Sequence, residues 1–271
     1  MEFRTVVNIP KGSFEIQPLE RMLFVGSCFA QNMGQRFQEE QFRAVVNPFG
    51  VMYNPASILH TVERYDGPAP SVAVFTLGTN HVYRLKATNE IVDNCQKRPQ
   101  SLFTEEELSV EACTCYLEKA VELLRKRHAE VKIIVTVSPI RYRKYGYHGS
   151  QLSKATLLLG ADALCRRCQG VEYFPAYELM NDELRDYRFY NEDMLHPNHQ
   201  AVTYIYERFS ECYFGKETTA FLAKWKPIKE ALNHKPFDAE SEEYRLFKAK
   251  TQQQLEQLCE EYPALKENVK H

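Results

Sequence analysis

Three short apolar runs stand out along the chain: Met22-Leu23-Phe24-Val25, Val72-Ala73-Val74-Phe75-Thr76-Leu77 and Val131-Lys132-Ile133-Ile134-Val135-Thr136-Val137. They are rich in β-branched and aromatic residues and stop at Gly26, Gly78 and Ser138-Pro139. That is the pattern of strands buried on both faces of a parallel sheet. Ala44-Val45-Val46 and Val171-Glu172-Tyr173-Phe174 predict two further strands. Between them the period changes. Phe29, Met33 and Phe37, then Tyr116, Ala120 and Leu124, then Leu157, Ala161 and Leu164 recur at helical spacing, each set marking the buried stripe of an amphipathic helix. Strands alternating with helices require right-handed crossovers, so the expected class is α/β with a central parallel sheet covered on both faces. Ligands in such sheets sit at the carboxyl ends of the strands, where Gly26, Gly78 and Ser138 fall.

From about Lys216 the pattern differs. Lys, Glu and Gln dominate, Pro227 and Pro236 punctuate, and Trp225, Leu232, Tyr244, Leu246, Phe247, Leu255 and Leu258 supply apolar helix faces. Residues 1–215 are expected to form the α/β domain and 216–271 a helical extension packed on it, its charge runs being a solvated face. Composition adds exclusions. With 44% hydrophobic and 26% charged residues the chain is an ordinary globular one, and a formal charge of -2 gives no electrostatic reason for nucleic acid or an anionic membrane as partner. The start has no basic segment followed by a long apolar run, so a cytoplasmic location is expected. The eight cysteines (Cys28, Cys95, Cys113, Cys115, Cys165, Cys168, Cys212 and Cys259) are then expected as free thiols. Cys165-x-x-Cys168 has the spacing of half a zinc site, but Cys113-x-Cys115 has the wrong spacing for the other half, so no metal or cofactor is expected. The pattern carries no signal of oligomeric state.

Candidate chemistry lies where the strands end. The order strand, Gly26-Ser27-Cys28, amphipathic helix displays a side chain at a helix N-terminus. There the unpaired N–H groups of the first turn can hold an oxyanion, and the dipole favours a thiolate. A small-residue helix cap with a buried cysteine explains the same turn. Late in the chain Asn191-Glu192-Asp193-Met194-Leu195-His196-Pro197 sets a carboxylate three residues before an imidazole. Asp193 can accept the Nδ1 hydrogen of His196, which leaves Nε2 for a nucleophile. After the second strand, Gly78-Thr79-Asn80 offers a close backbone approach and a neutral amide donor for an oxyanion, or simply a strand-ending turn.

Together these places resemble the SGNH (GDSL-type) hydrolase superfamily, whose blocks read Gly-Asp-Ser, a second-block Gly, Gly-x-Asn-Asp and Asp-x-x-His. Phe24-Val25-Gly26-Ser27-Cys28-Phe29-Ala30 is similar to the motif that names the GSCFA family. So are Asn47-Pro48-Phe49-Gly50-Val51-Met52-Tyr53-Asn54-Pro55, Thr136-Val137-Ser138-Pro139-Ile140-Arg141, Gln151-Leu152-Ser153-Lys154-Ala155 and Asp182-Glu183-Leu184-Arg185-Asp186-Tyr187-Arg188-Phe189-Tyr190. The resemblance spans roughly residues 10 to 215. It implies a three-layer α/β/α flavodoxin-like sandwich and, by superfamily analogy, ester hydrolysis. Asp193 and His196 fall on Asp-x-x-His, Gly78 and Asn80 on Gly-x-Asn, and Gly50 on the second-block glycine. His81 departs from the pattern, standing where the superfamily has Asp. In the first block the ungapped register places Cys28 at the nucleophile, whereas a shift of one residue places Ser27 there. A thiol gains more than a hydroxyl from the helix N-terminus, but Cys28 opens an otherwise apolar helix and Ser27 can be the exposed member.

The expected function is cleavage of an acyl or acetyl ester, on a small molecule or a carbohydrate, through a covalent acyl-enzyme, with Gly50, Gly78 and Asn80 at the oxyanion. A thioesterase or acyltransferase using Cys28 employs the same parts. Tyr53, Asn54, Arg141, Tyr142, Arg143, His148, Lys154 and Tyr190 are candidate lining for a polar substrate. A second class of function is an inactive module that binds a glycan or a partner through the same cleft. A third, a metal hydrolase on Asp193, His196 and His199, is opposed by Pro197 between the histidines and by the separate nucleophile turn.

Overall fold

The computed structural model describes the chain apart from Glu2, Asn94, Gln96, Ala239, Lys270 and His271. Five strands, β1 (Arg21–Gly26), β2 (Arg43–Val46), β3 (Val72–Leu77), β7 (Lys132–Val137) and β8 (Val171–Tyr173), form one sheet in the order β2-β1-β3-β7-β8. Every pairing in it is parallel. These are the strands that the apolar runs predict. Along β1 successive side chains enter opposite cores, Leu23 and Val25 on one face, Met22 and Phe24 on the other, as a sheet covered on both sides demands.

One face is covered by α2 (Pro55–Arg64), α3 (Val110–Arg127) and α4 (Gly146–Arg167), whose Ile58, Leu117, Leu124, Leu157 and Leu164 are buried against it. The other carries α1 (Cys28–Glu39), the single turn α5 (Ala176–Glu178) and α6 (His199–Tyr213), with α1 and α6 joined by a cluster of aromatic rings around Phe37. The result is a three-layer α/β/α sandwich with the flavodoxin-like strand order. The order reverses between β1 and β3, so the crevice for a ligand opens at the carboxyl ends of those two strands.

Two features escape the sequence pattern. Helix α2, capped by Asn54 and opened by Pro55, follows the loop after β2. Strands β4 (His81–Leu85), β5 (Ile91–Val92) and β6 (Phe103–Glu107) make a separate antiparallel sheet between β3 and α3.

Past Gly215 the chain is helical: α7 (Lys216–Leu232), α8 (Glu242–Glu261) and α9 (Leu265–Asn268) gather Phe221, Trp225, Ile228, Leu255, Leu258 and Leu265 around Leu19. Trp225 Nε1 donates to the Glu39 carbonyl at 3.0 Å, Lys229 pairs with Glu40 at 2.6 Å, and Asn268 donates to the Gln41 carbonyl at 2.6 Å. These contacts lie at the end of α1 and just before β1 and β2. The extension therefore sits at the amino ends of the strands, on the far side of the sheet from the crevice. The last two residues of the expected extension lie outside the described residues. No helix among the described residues is long and apolar enough to cross a membrane.

Candidate active site

The turn from β1 into α1 is shaped by Gly26, at φ +143°, where a methyl group would lie 2.1 Å from the Thr76 carbonyl oxygen. Only glycine tolerates both the conformation and the approach. Ser27 is wholly buried. Its N–H reaches Thr76 Oγ1 at 3.0 Å, and its Oγ lies 3.1 Å from the same hydroxyl and accepts the Phe29 N–H at 3.2 Å. The serine hydroxyl is thus the N-cap of α1. Cys28, the first residue of the helix, is half-buried, and its thiol lies beside Tyr53 and Tyr142. Burial first, then the charge and hydrogen bond of Cys28, push the Tyr53 hydroxyl pKa up.

Asp193 and His196 are brought together directly. His196 Nδ1 is 2.6 Å from Asp193 Oδ2, while Asp193 Oδ1 accepts the backbone N–H of Leu195 at 2.8 Å and of His196 at 3.0 Å. Those three hydrogen bonds, the backbone ones first, hold the carboxyl down to about 2, so it is ionised at neutral pH and fixes the imidazole. Met194 turns through φ +59° between them. The loop is buckled to the segment that follows β7: the Arg141 N–H donates to the Leu195 carbonyl at 3.0 Å, the Arg141 guanidinium to the Met194 carbonyl at 3.2 Å and the Arg143 guanidinium to the Asp193 backbone carbonyl at 3.0 Å. At its far end Asn191 and Pro197 share a hollow with Asn32 of α1. Gln35, Arg36 and Glu39 line the same hollow, so this end of the loop borders the outer face of α1 from one turn past Cys28 onward. Among the described residues no hydrogen bond links the Cys28 thiol to His196.

At the end of β3, the Gly78 and Thr79 N–H groups both donate to the Tyr53 carbonyl, at 2.9 and 2.8 Å. A methyl group at Gly78 would meet the Tyr142 hydroxyl at 2.5 Å, so this glycine admits Tyr142 to the site. Asn80 is buried, and its Nδ2 donates to the Leu108 carbonyl at 2.8 Å. The Gly50 N–H closes a turn onto the Asn47 carbonyl at 2.8 Å. Of the three residues expected at the oxyanion, Gly50 and Gly78 thus have their N–H groups in use within the fold, and Asn80 has one of its two amide hydrogens in use. Asn54 is likewise engaged, its Oδ1 accepting the Ser57 N–H at 2.9 Å as the cap of α2. His81 is buried and stacks on Tyr145 with ring centroids 3.6 Å apart, and burial lowers its pKa.

Lys154, expected in a pocket wall, is instead fully buried beneath the crevice, where its Nζ donates to the carbonyls of Gly78 at 2.6 Å and Ser138 at 2.8 Å. Burial pushes its pKa down to about 7. It stands three residues before Leu157 on the buried stripe of α4, a placement the helical period already implies. Arg141 lies between Tyr147 and Tyr190, 4.5 and 5.4 Å from their ring centroids, and lines a hollow with Gln151, Asn181, Asp186 and Tyr187. His148 is exposed in the first turn of α4. Thr76, the partner of Ser27, and the Tyr142 hydroxyl carry no motif of their own. Among the described residues no group of three or more His, Cys, Asp or Glu side chains is placed to hold a metal.

Comparison with known proteins sets these observations beside others. Residues 21–71 and 67–209 match the model described as the GSCFA family, and residues 225–270 match that of the GSCFA domain protein C-terminal domain. No curated protein matches the chain. A catalytic mutant of an acetylxylan esterase from Geobacillus stearothermophilus is similar over 74% of this chain and 98% of its own, at 12% identity and a TM-score of 0.48. A GDSL-like lipase from Bacteroides thetaiotaomicron is similar over 72% of this chain and 90% of its own, at 15% identity and a TM-score of 0.46. Likeness of this degree assigns no reaction to the chain.

Proposed function

The chain belongs to the GSCFA family, and from that premise we propose that it is an acyl hydrolase in which Cys28 is the nucleophile, His196 its base and Asp193 the orienting carboxylate. The observation that carries this reading is the Asp193–His196 pair at 2.6 Å, on a loop tied to the segment after β7, at the same carboxyl end of the sheet where the turn after β1 presents Cys28. Ser27 is the weaker candidate because its hydroxyl is buried and caps the helix. In the proposed reaction His196 Nε2 takes the thiol proton as sulfur bonds to the ester carbonyl carbon. Collapse of the tetrahedral adduct expels the alcohol oxygen, which takes that proton and leaves a thioester. Water then attacks the thioester with His196 as base, and the departing sulfur recovers a proton. In the first turn of α1 the Phe29, Ala30 and Gln31 N–H groups are spent on Ser27, so the Cys28 N–H is the backbone donor proposed for the developing oxyanion. The hollow of Arg141, Gln151, Asn181, Asp186, Tyr187 and Tyr190 beside the loop suits a hydroxyl-rich alcohol, and a carbohydrate ester is the proposed substrate.

The test is intact-protein mass spectrometry after brief exposure to short-chain activated esters. The adduct is expected in wild type and Ser27→Ala, absent in Cys28→Ala, and formed at least about a hundredfold more slowly in His196→Ala. Loss in Ser27→Ala alone moves the nucleophile by one residue. A second reading, a binding module without turnover, is favoured by the engagement of Asn80 and Gly50 within the fold. It prevails if no form of the protein acquires an adduct.

A further inference from the structure

Beside Cys28 lies a hydroxyl without a partner. The phenol oxygen of Tyr142 is shielded from solvent and makes no hydrogen bond among the described residues. Its position is nevertheless well determined. The Tyr142 N–H donates to Ser150 Oγ at 3.2 Å, the ring meets Tyr53 edge-on at 6.3 Å between centroids, and the ammonium of Lys154 lies 5.3 Å from the ring centroid. The oxygen itself is held against Gly78, at the end of β3, where any side chain larger than hydrogen would collide with it. Burial, then the charges of Tyr53 and Cys28, push its pKa well up, so it keeps its proton and remains a donor.

A buried donor with no acceptor destabilises a fold, and such costs persist where function needs them. Here the need is specific. Attack by Cys28 places negative charge on the carbonyl oxygen of the acyl group, while the Gly50 N–H is committed to Asn47 and the buried Asn80 amide is anchored by one of its two hydrogens to the Leu108 carbonyl. Resting on the acyl-hydrolase reading, we propose that Tyr142 is a catalytic residue whose hydroxyl donates a hydrogen bond to the oxyanion formed when Cys28 attacks. The proton stays on the phenol throughout, so the step is electrostatic. The bond exists only once charge develops on that oxygen, which is the condition for lowering the barrier rather than merely holding substrate.

Two reactions of the same sulfur separate this role from others. An activated acetyl ester reacts through an oxyanion, whereas iodoacetamide alkylates the thiol by displacement of iodide at carbon and forms none. Intact-mass kinetics of wild type and Tyr142→Phe are compared in both. In the variant, acylation is expected to slow about a hundredfold and alkylation to change less than about twofold. Its melting temperature is expected to hold or rise, because no hydrogen bond is lost with the hydroxyl. Equal acylation rates in the two proteins overturn the proposal. A parallel fall in acylation and alkylation overturns it as well, since Tyr142 then acts on the thiol and not on the oxyanion. Wild type that alkylates but never acylates removes the acyl-hydrolase reading and the role of Tyr142 with it, a result distinct from either of the others.

Discussion

At the residue scale, the crevice is underlain by a buried lysine whose hydrogen bonds among the described residues go to carbonyls. Lys154 holds two strand-end carbonyls, and burial brings its pKa from 10.5 to about 7. Between those values the unfolded chain binds a proton that the folded protein has released. Stability contributed at this position is therefore least below about pH 7 and rises with pH toward 10.5, by at most about 1.4 kcal/mol per pH unit. Burial raises the Cys165 thiol to about 11 and the Tyr142 hydroxyl well above 10, and their ionisation in the unfolded chain lowers stability as pH rises, so the difference between wild type and Lys154→Met is the informative quantity. The difference in unfolding free energy, wild type minus variant, is expected to increase from pH 7 to pH 9.5 in denaturant titrations. A difference that is flat with pH contradicts a neutralised Lys154. The period of α4 places this lysine on a buried stripe, yet the carbonyls that receive it come from β3 and β7, brought together only in the folded sheet.

At the element scale, the β1–α1 turn does most to define the site. Gly26 allows β1 to pass under the Thr76 carbonyl, Ser27 caps the helix, and Cys28 is thereby the first residue free to face the crevice. Gly26→Ala combines an unfavourable φ with a backbone collision and is expected to destabilise the protein by about 3 kcal/mol or more, measured by denaturant unfolding. A change below about 1 kcal/mol means that the turn has an alternative conformation. The turn was visible in the sequence because its signals are local: an apolar run, a glycine, a small cap residue and a helical period. The same locality explains what was not visible. Strands β4 to β6 are short, and two of them are largely exposed or half-exposed, so they lack the apolar run that marked the buried sheet. Helix α2 is short and its seven buried residues give no clean stripe.

At the scale of the whole molecule, the extension and the crevice lie at opposite ends of the sheet. Trp225 is 2% exposed and joins α7 to the end of α1. Trp225→Ala is expected to cost about 3–5 kcal/mol of stability. Cys28 in the folded variant should still alkylate at the wild-type rate, read by intact mass under native conditions. A large change in that rate shows that α1 carries the disturbance from one end of the sheet to the other.

The amino-acid sequence by itself determined the parallel sheet, its principal helices and the candidate triad residues, because burial on two faces, helical periodicity and strand-end turns all act over a few neighbouring residues. The tertiary structure decided which polar groups remain available for chemistry. Ser27 finds Thr76, Asn80 finds Leu108, Lys154 finds Gly78 and Ser138, and the Tyr142 hydroxyl finds no partner among the described residues. A hydrogen bond between residues far apart in the chain depends on where the whole fold carries them, and no local pattern encodes that distance.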